Sequence, residues 1–479
     1  METGTKTEGK KNYTNLEKKN YSKLIILIIC ALVYIVLTSL PAPSGLPANG
    51  QRALSLMVVA VIAWVTEVIP IGISSVLLTL LLPVLNIVPM KDAMANFMIT
   101  TVAFIFSAFI IADAFIRTGL GNRISLIVSS RFGDKPDKVL LSFMLPTAII
   151  SMVLADIPTA IIFSSMAYTL LKKNNCVPGK SNFGKSIMTG IPIAAAIGGI
   201  GTPAGSGLNL LAISLIKSSA NVDINFLQWS AIGIPMALVL TFVAWYVLKK
   251  MYPAEFKVVE GLNDAKNELK KLGPLTTNEK KFTAIFAIAL ILWFTQPLTK
   301  LDTAFVGVLA ASTLFIPGIS ISTWEDVKGK IAIDVLFLVA SSNALAMAIV
   351  STKGAAWVSN TFLGGLAGVG IIGLLLTVTA FGIFSHILIP AGNAVLAIAI
   401  PVLSILAKDI GINPIALTLP VAFTASCVFL MPLDPIPLTT YSYKYWKMTD
   451  MIKPGIIISL VWIVINAIFM YAAQMIGIY

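Results

Sequence analysis

The chain has one histidine, three cysteines and little charge, and each scarcity removes a class of chemistry. His386 is the lone histidine, so an HExxH zinc helix is excluded and histidine-based catalysis lacks its usual parts. Cys30, Cys176 and Cys427 have neither ligand nor disulfide spacing. No phosphate loop of the GxxxxGKS/T form occurs, which argues against direct drive by ATP. No cluster of histidine, cysteine or paired carboxylates converges in the sequence, so an enzyme reading has no support and no organic cofactor is expected. Charged residues make up 12% of the chain, against about 25% in globular domains.

Hydrophobic residues, at 57%, take their place. Apolar runs recur at Leu24–Leu40, Ala53–Pro70, Val102–Ile116, Ile232–Leu248, Phe282–Thr295, Ile333–Val350 and Ile456–Met475. Runs of about 18 residues cross a hydrocarbon core of roughly 30 Å, so the pattern predicts an all-α polytopic membrane protein. Met1–Lys23 is too long and too charged for the n-region of a cleaved signal, and Leu24–Leu40 is expected to be retained as the first span. The formal net charge of +12 invites a nucleic-acid reading. The basic residues lie instead in short connections, the distribution of a positive-inside membrane protein, and no nucleic-acid partner is expected.

Those connections are Lys6–Lys23, Arg117–Lys138, Lys172–Lys185, Lys249–Lys281 and Lys444–Lys453, all expected in the cytoplasm. Val139–Leu171 is too long for one span, yet basic residues flank both of its ends. Its middle reads Leu154-Ala155-Asp156-Ile157-Pro158-Thr159-Ala160, a break expected to turn the chain at Asp156–Pro158 and return it to the same side. Irregular backbone at that depth is tolerated only when buried in protein or facing a water-filled cavity. Ile371–Ala407 repeats the pattern without basic flanks, as an extracellular hairpin would, with its break at Ala391–Asn393.

Each hairpin is followed by an interrupted helix, Gly198–Asn209 in the first half and Met431–Pro437 in the second. Hairpin then broken helix, twice and in opposite polarity, is the pattern of an inverted repeat whose breaks mark the binding site. The expected organisation is a cytoplasmic tail over 1–23 and a first membrane repeat over 24–248, which holds the first helix and the cytoplasmic hairpin 139–171. A cytoplasmic linker follows over 249–281, then a second membrane repeat over 282–479 with the extracellular hairpin 371–407. Counting about eleven spans and two re-entrant hairpins puts the N-terminus in the cytoplasm and the C-terminus outside, in a multi-pass protein of the cell membrane.

At these segments the chain resembles the divalent anion/sodium symporter (DASS) family of dicarboxylate, citrate and related anion transporters. Ile197-Gly198-Gly199-Ile200-Gly201-Thr202-Pro203-Ala204-Gly205 is close to the family's Gly-Gly-Ile-Gly-Thr-Pro signature. Ser426-Cys427-Val428-Phe429-Leu430-Met431-Pro432 is similar to the corresponding second-half segment, and Val65–Pro70 to an early scaffold junction. The resemblance implies a homodimer in which early spans of each half form a scaffold, while hairpins and broken helices slide as an elevator. The chain departs from the family at the tips. Family members carry Ser-Asn-Thr at both, whereas this chain has Ala155-Asp156-Ile157 and Gly392-Asn393-Ala394. The usual Thr-Pro-Pro-Asn ends are replaced by Ser206-Gly207-Leu208-Asn209 and Pro435-Ile436-Pro437-Leu438.

Helix N-termini after each break, near Pro158–Thr159 and Asn393–Ala394, are suited to an anion. Unwound carbonyls around Gly199–Gly205 and Met431–Pro435 are suited to a small cation. The expected substrate site is therefore Ala155, Asp156, Ile157 and Thr159, with Thr202 and Pro203, facing Gly392, Asn393, Ala394 and Pro432. The cation candidates are Asp156, Gly199, Gly201, Asn393 and Asp434, with Na+ as the coupling ion and no other metal. A membrane carboxylate costs roughly 2.5–3.5 kcal/mol on insertion scales, so Asp156 reads as a coupling ligand unless it merely caps the hairpin's second helix. Asp434 has the same two readings, as a site residue or a turn aspartate. His386 is expected to be a satisfied packing histidine, and Asp113 with Arg117 a structural pair at (i, i+4). Ser341-Ser342-Asn343 either lines the path or hydrogen-bonds between helices.

The function expected is secondary active transport of a small divalent organic anion such as succinate, malate or 2-oxoglutarate, with sodium symport leading. The alternatives are a sodium-independent exchanger, a proton-coupled carrier, a citrate or sulfate carrier, and a passive anion channel. Membrane lipid and a second copy of the chain are the only other partners expected.

Overall fold

The computed structural model describes residues 23–129, 133–154, 156–260, 262–363, 365, 368–389, 392–430, 432 and 434–479. Ala155, expected at the first tip, lies outside the described residues. Every regular element among the described residues is helical. Among the described residues, seven helices are long and apolar enough to cross a bilayer, including Ala48–Thr66, Phe226–Met251, Ile333–Ser351 and Met448–Met475. The chain is a multi-pass membrane protein, and its residues divide into two compact units.

The first unit, 1–98 with 333–362, holds α1 (Lys23–Ser39), α2 (Ala48–Thr66), α3 (Ile71–Val84) and α4 (Met90–Phe97). From later in the chain it takes α17 (Ile333–Ser351) and the short α18 (Gly354–Val358). Water is absent from a bilayer core, so packing and interhelical hydrogen bonds must hold such helices together. The polar cluster of α17 supplies them. Ser341 Oγ accepts from Thr79 Oγ1 at 3.0 Å, and Asn343 Nδ2 donates to the Asn96 carbonyl at 2.8 Å. Ser341 and Asn343 thus bond between helices, and Asp334 at the start of α17 accepts from Gly72 N at 2.9 Å.

The second unit, 99–332 with 363–479, opens with α5 (Thr100–Thr118), α6 (Leu120–Ser129), α7 (Pro136–Ser151), α8 (Asp156–Lys173) and α9 (Asn182–Gly199). It continues with α10 (Gly207–Ala220), α11 (Phe226–Met251), α12 (Leu262–Leu272) and α13 (Thr277–Phe294). Beyond the single-turn α14 (Gln296–Thr299) come α15 (Thr303–Thr313) and a second single turn, α16 (Trp324–Val327). It ends with α19 (Ile371–Leu388), α20 (Gly392–Asp409), α21 (Pro414–Ala422), α22 (Pro435–Tyr441) and α23 (Met448–Met475). Asp113 and Arg117 pair at 3.2 Å along α5, and Arg117 also reaches Asp326 at 3.3 Å.

At the centre of this unit is α9. Every residue from Ser186 to Gly199 is buried, because small side chains on all its faces let neighbours close in from every direction. Its N-terminus is set by Ser181, whose hydroxyl accepts from Gly184 N at 2.9 Å. At its other end a side chain on Gly198 would strike the Ala148 backbone of α7, so only glycine permits this approach.

The α7–α8 hairpin returns to the end from which it starts. Just before α7, the Asp134 carbonyl accepts from Val259 N at 2.8 Å. Just after α8, Asn174 exchanges two hydrogen bonds with the Glu260 backbone, at 2.8 and 3.0 Å. Consecutive linker residues therefore touch the hairpin's entry and exit. Lys172 over Tyr168 and Lys249 over Trp245 lie at the same end, the cation–aromatic pairing typical of a membrane interface.

The turn itself falls earlier than expected. α7 stops at Ser151 and α8 begins at Asp156, so the break lies before Asp156 rather than at Asp156–Pro158, and α8 does not wait for Pro158–Thr159. Pro158 sits in the first turn of α8, where a missing N–H leaves no hydrogen bond unmade and the fixed φ suits a helix. In the second hairpin, α20 likewise includes Gly392 and Asn393 in its first turn.

Candidate functional site

Asp156 is 7% exposed. Its Oδ1 accepts from Ile157 N at 2.9 Å, and the Ser206 hydroxyl also donates to its carboxylate. The first of these contacts ties the carboxylate to the start of α8. Thr159 in the next turn spends its hydroxyl on the Leu154 carbonyl at 2.8 Å, closing the tip on itself. Ile157 is half-buried beside it.

The first break lies directly against this tip. Thr202 donates its hydroxyl to the Met152 carbonyl and accepts from Ala204 N at 3.2 Å, which starts the single 3₁₀ turn Pro203–Gly205. A Cβ on Gly199 would lie 3.4 Å from Asp156 Oδ2. Asn209, in the first turn of α10, donates to the carbonyls of Gly199 at 2.7 Å and Thr202 at 2.8 Å. Its own Oδ1 is buried without a partner. Gly201 is buried against Met152.

Trp229, fully buried on α11, holds the far side of the break by donating from Nε1 to the Ile200 carbonyl at 2.8 Å. Trp229→Phe keeps a buried ring but orphans that carbonyl. A cost of about 1–3 kcal/mol is expected, read as a lower unfolding midpoint in SDS titration. An unchanged midpoint would mean the carbonyl finds another donor.

From the second half, Gly392 at the start of α20 brings the second tip onto this cluster. A Cβ there would lie 2.8 Å from Leu208 of α10 and 2.5 Å from the Ala425 carbonyl. Asn393 and Ala394 follow, both buried. Asp434 caps α22, its Oδ1 accepting from Ile436 N at 3.0 Å, and it is near enough to repel the Asp156 carboxylate. No lysine or arginine among the described residues offsets Asp156. Pro432 is buried, while its neighbours Met431 and Leu433 lie outside the described residues.

His386 departs from expectation. It is fully buried, one turn beyond the Gly382–Thr424 contact, but neither ring nitrogen has a partner of ordinary hydrogen-bond geometry. The nearest polar groups are backbone atoms of Thr424 and Ile389. A packing histidine it is, a satisfied one it is not, because α19 approaches α21 through its glycine and leaves no side-chain acceptor within reach. Ser426, two residues on, also has a buried hydroxyl without a partner.

Ser206 and Asn209 are the site residues that the sequence reading leaves out of its candidate set. Their signal was the Ser-x-x-Asn spacing after the glycine-rich break, which places one at the helix cap and the other in the first turn. Three helices, α8, α10 and α20, thus begin within one buried region, with carboxylates, an amide and hydroxyls between them. Their dipole ends suit an anion, and the oxygen atoms of Asp156, Asp434 and Asn209 suit a small cation.

Comparison with known proteins agrees with this architecture. Residues 18–478 match the family model described as the sodium:sulfate symporter transmembrane region. A membrane protein of Cupriavidus necator is 26% identical over 432 residues, covering 85% of this chain and 84% of its own. The sodium-dependent dicarboxylate transporter SdcS of Staphylococcus saprophyticus is 26% identical over 447 residues, covering 88% and 86%. Among solved structures, the Alcanivorax borkumensis YdaH transporter aligns with a TM-score of 0.54 at 14% identity, over 80% of this chain and 87% of its own. Neisseria gonorrhoeae MtrF aligns with a TM-score of 0.53 at 13% identity, over 94% of each chain. These structural likenesses speak to the fold.

Proposed function

The chain belongs to the sodium:sulfate symporter family of membrane transporters, and from that premise we propose that it carries a small dicarboxylate by sodium-coupled symport. The observation that carries the reading is the meeting of the second tip with the first break, where Gly392 lies against Leu208 while Ser206 and Gly199 surround Asp156. Helix N-termini there seat the substrate's carboxylates. The oxygen-rich cluster of Asp156, Asn209, Asp434 and the break carbonyls holds the cation, with Gly201, Asn393 and Pro432 completing the wall. The SdcS relatives are named sodium-dependent dicarboxylate transporters, which supports both halves of the proposal.

Charge balance gives the reason for coupling. A dianion entering beside two carboxylates would gather four negative charges in a region where no basic side chain among the described residues offsets Asp156. Cations must enter with it. We place the N-terminus and the 249–281 linker in the cytoplasm, and we read the protein as a homodimer whose hairpins and broken helices move as an elevator. The sequence organisation into repeats over 24–248 and 282–479 belongs to the same proposal.

The test is uptake of radiolabelled succinate, malate, 2-oxoglutarate, citrate and sulfate into proteoliposomes. It is run with an inward sodium gradient, without sodium, and with preloaded counter-anion. Sodium-driven accumulation of a dicarboxylate is expected. One observation favours a second reading. Asp156 already accepts from Ile157 N and Ser206, so it can serve as a cap alone. Counterflow that ignores sodium would establish exchange in place of symport, and flux without trans-stimulation would establish a channel.

A further inference from the structure

The linker between α11 and α13 is bonded to both bases of the first hairpin, to the N-terminus of α9 and to the start of α23. Tyr252 donates its hydroxyl to the Asp450 carbonyl at 2.6 Å, at the start of α23. The Glu255 carboxylate accepts from Asn182 N, from Phe183 N at 3.3 Å and from Ser181 Oγ at 3.4 Å, closing the N-terminus of α9. Phe256 stacks edge-on against Phe183 with centroids 5.1 Å apart. Val259 and Glu260 then bind the entry and exit of the hairpin through Asp134 and Asn174. A connection that only had to span from α11 to α13 needs none of these bonds, since a solvated loop costs little more when longer.

We propose that this linker is a clamp that fixes the base of the first hairpin against α9 and α23, with Asn174 and Glu255 as positioning residues for Asp156. They act through geometry alone. The base of α7 and the base of α8 are held at adjacent linker residues, so the hairpin arms cannot splay. The described part of the tip, 152–154, then keeps its register on the Gly199–Gly205 break. Glu255 adds the anchor, because an acidic side chain at the N-terminus of a helix meets both free N–H groups and the positive end of the dipole. The proposal rests on the reading of Asp156 as part of the transport site.

The test reads the tip directly and needs no substrate. A cysteine placed by Ile157→Cys is alkylated with a maleimide, and its rate is followed by peptide mass spectrometry. Asn174→Ala and Glu255→Ala are each expected to raise that rate about fivefold, as the loss of two or three hydrogen bonds loosens the base. Glu255→Gln, which keeps an acceptor, is expected to stay near the wild-type rate. A second variant guards against simple misfolding. With Asn174→Cys and Glu260→Cys, an oxidised pair should keep labelling at the wild-type rate, and reduction should accelerate it in the same preparation. Equal rates in oxidised and reduced protein, or unchanged rates in the well-folded alanine variants, would overturn the clamp. In uptake, loss of the clamp raises the half-saturation concentration more than it lowers the maximal rate. A wild-type protein that takes up no anion, while labelling still responds to the clamp, would count against the transport reading alone.

Discussion

Asp156→Asn is expected to abolish most sodium-stimulated uptake, lowering it about 10- to 100-fold at fixed substrate. The substitution is nearly isosteric. Asparagine keeps an oxygen for Ile157 N and for the Ser206 hydroxyl, so the start of α8 should survive. What disappears is one negative charge beside the Gly199 backbone. Charge-assisted contacts contribute about 1.5–3 kcal/mol, and each 1.4 kcal/mol is tenfold in an equilibrium. The measurement is initial uptake rate against sodium concentration in proteoliposomes. Wild-type sodium dependence in the variant would return Asp156 to a capping role.

Asp434→Asn is the informative control. Asparagine serves as well as aspartate at a helix cap, and the Ile436 N bond should persist. Removing this charge also relieves its repulsion of Asp156. If the cation depends chiefly on Asp156, the Asp434 variant loses much less than the Asp156 variant. Equal losses would mean that the two carboxylates hold the cation together.

The membrane class was legible because apolar runs and lysine placement act over tens of residues and survive any local error. The breaks were legible too, since glycine or proline there stands together with a polar residue such as Asp156, Thr202, Asn393 or Asp434 inside an apolar segment. Their position was read less well. Pro158 looks like the turn, but proline is tolerated in the first turn of a helix, so α8 starts at Asp156. The approach of Asp434 to Asp156 was not legible at all, because it joins two halves of the chain through tertiary packing. Asn174 and Glu255 read as residues of solvated connections, and only the fold shows that each has backbone partners far away in sequence. His386 illustrates the converse. Its burial follows from its place in an apolar helix, but its lack of a partner depends on which face of α21 it meets.

The same reasoning picks out the linker's second anchor, where Arg123→Ala is expected to cost about 3–5 kcal/mol of stability. Arg123 on α6 is 7% exposed and Glu279 at the start of α13 is 3% exposed. The guanidinium Nε and Nη2 donate to the two carboxylate oxygens at 2.7 and 3.0 Å. The remaining donors reach the carbonyls of Gly273 at 2.8 Å and Pro274 at 3.2 Å, in a turn with no helix to satisfy them. Alanine would strand a buried carboxylate and two carbonyls together. Arg123→Lys should recover less than half of the loss, because one ammonium cannot reproduce that planar fork. Glu279→Gln should cost least, since glutamine preserves the capping box with Thr276. Arg123 holds the Glu279 carboxyl below its ordinary range. Its contribution is therefore complete above the ordinary glutamate pKa of about 4.3 and is lost only as pH falls through the depressed value. The variants should consequently rank alike at pH 6 and pH 8 in SDS-titration unfolding. A cost for Arg123→Ala below about 1 kcal/mol would place the pair among exposed ion pairs, which contribute little, and would leave α6 attached to the linker by packing alone.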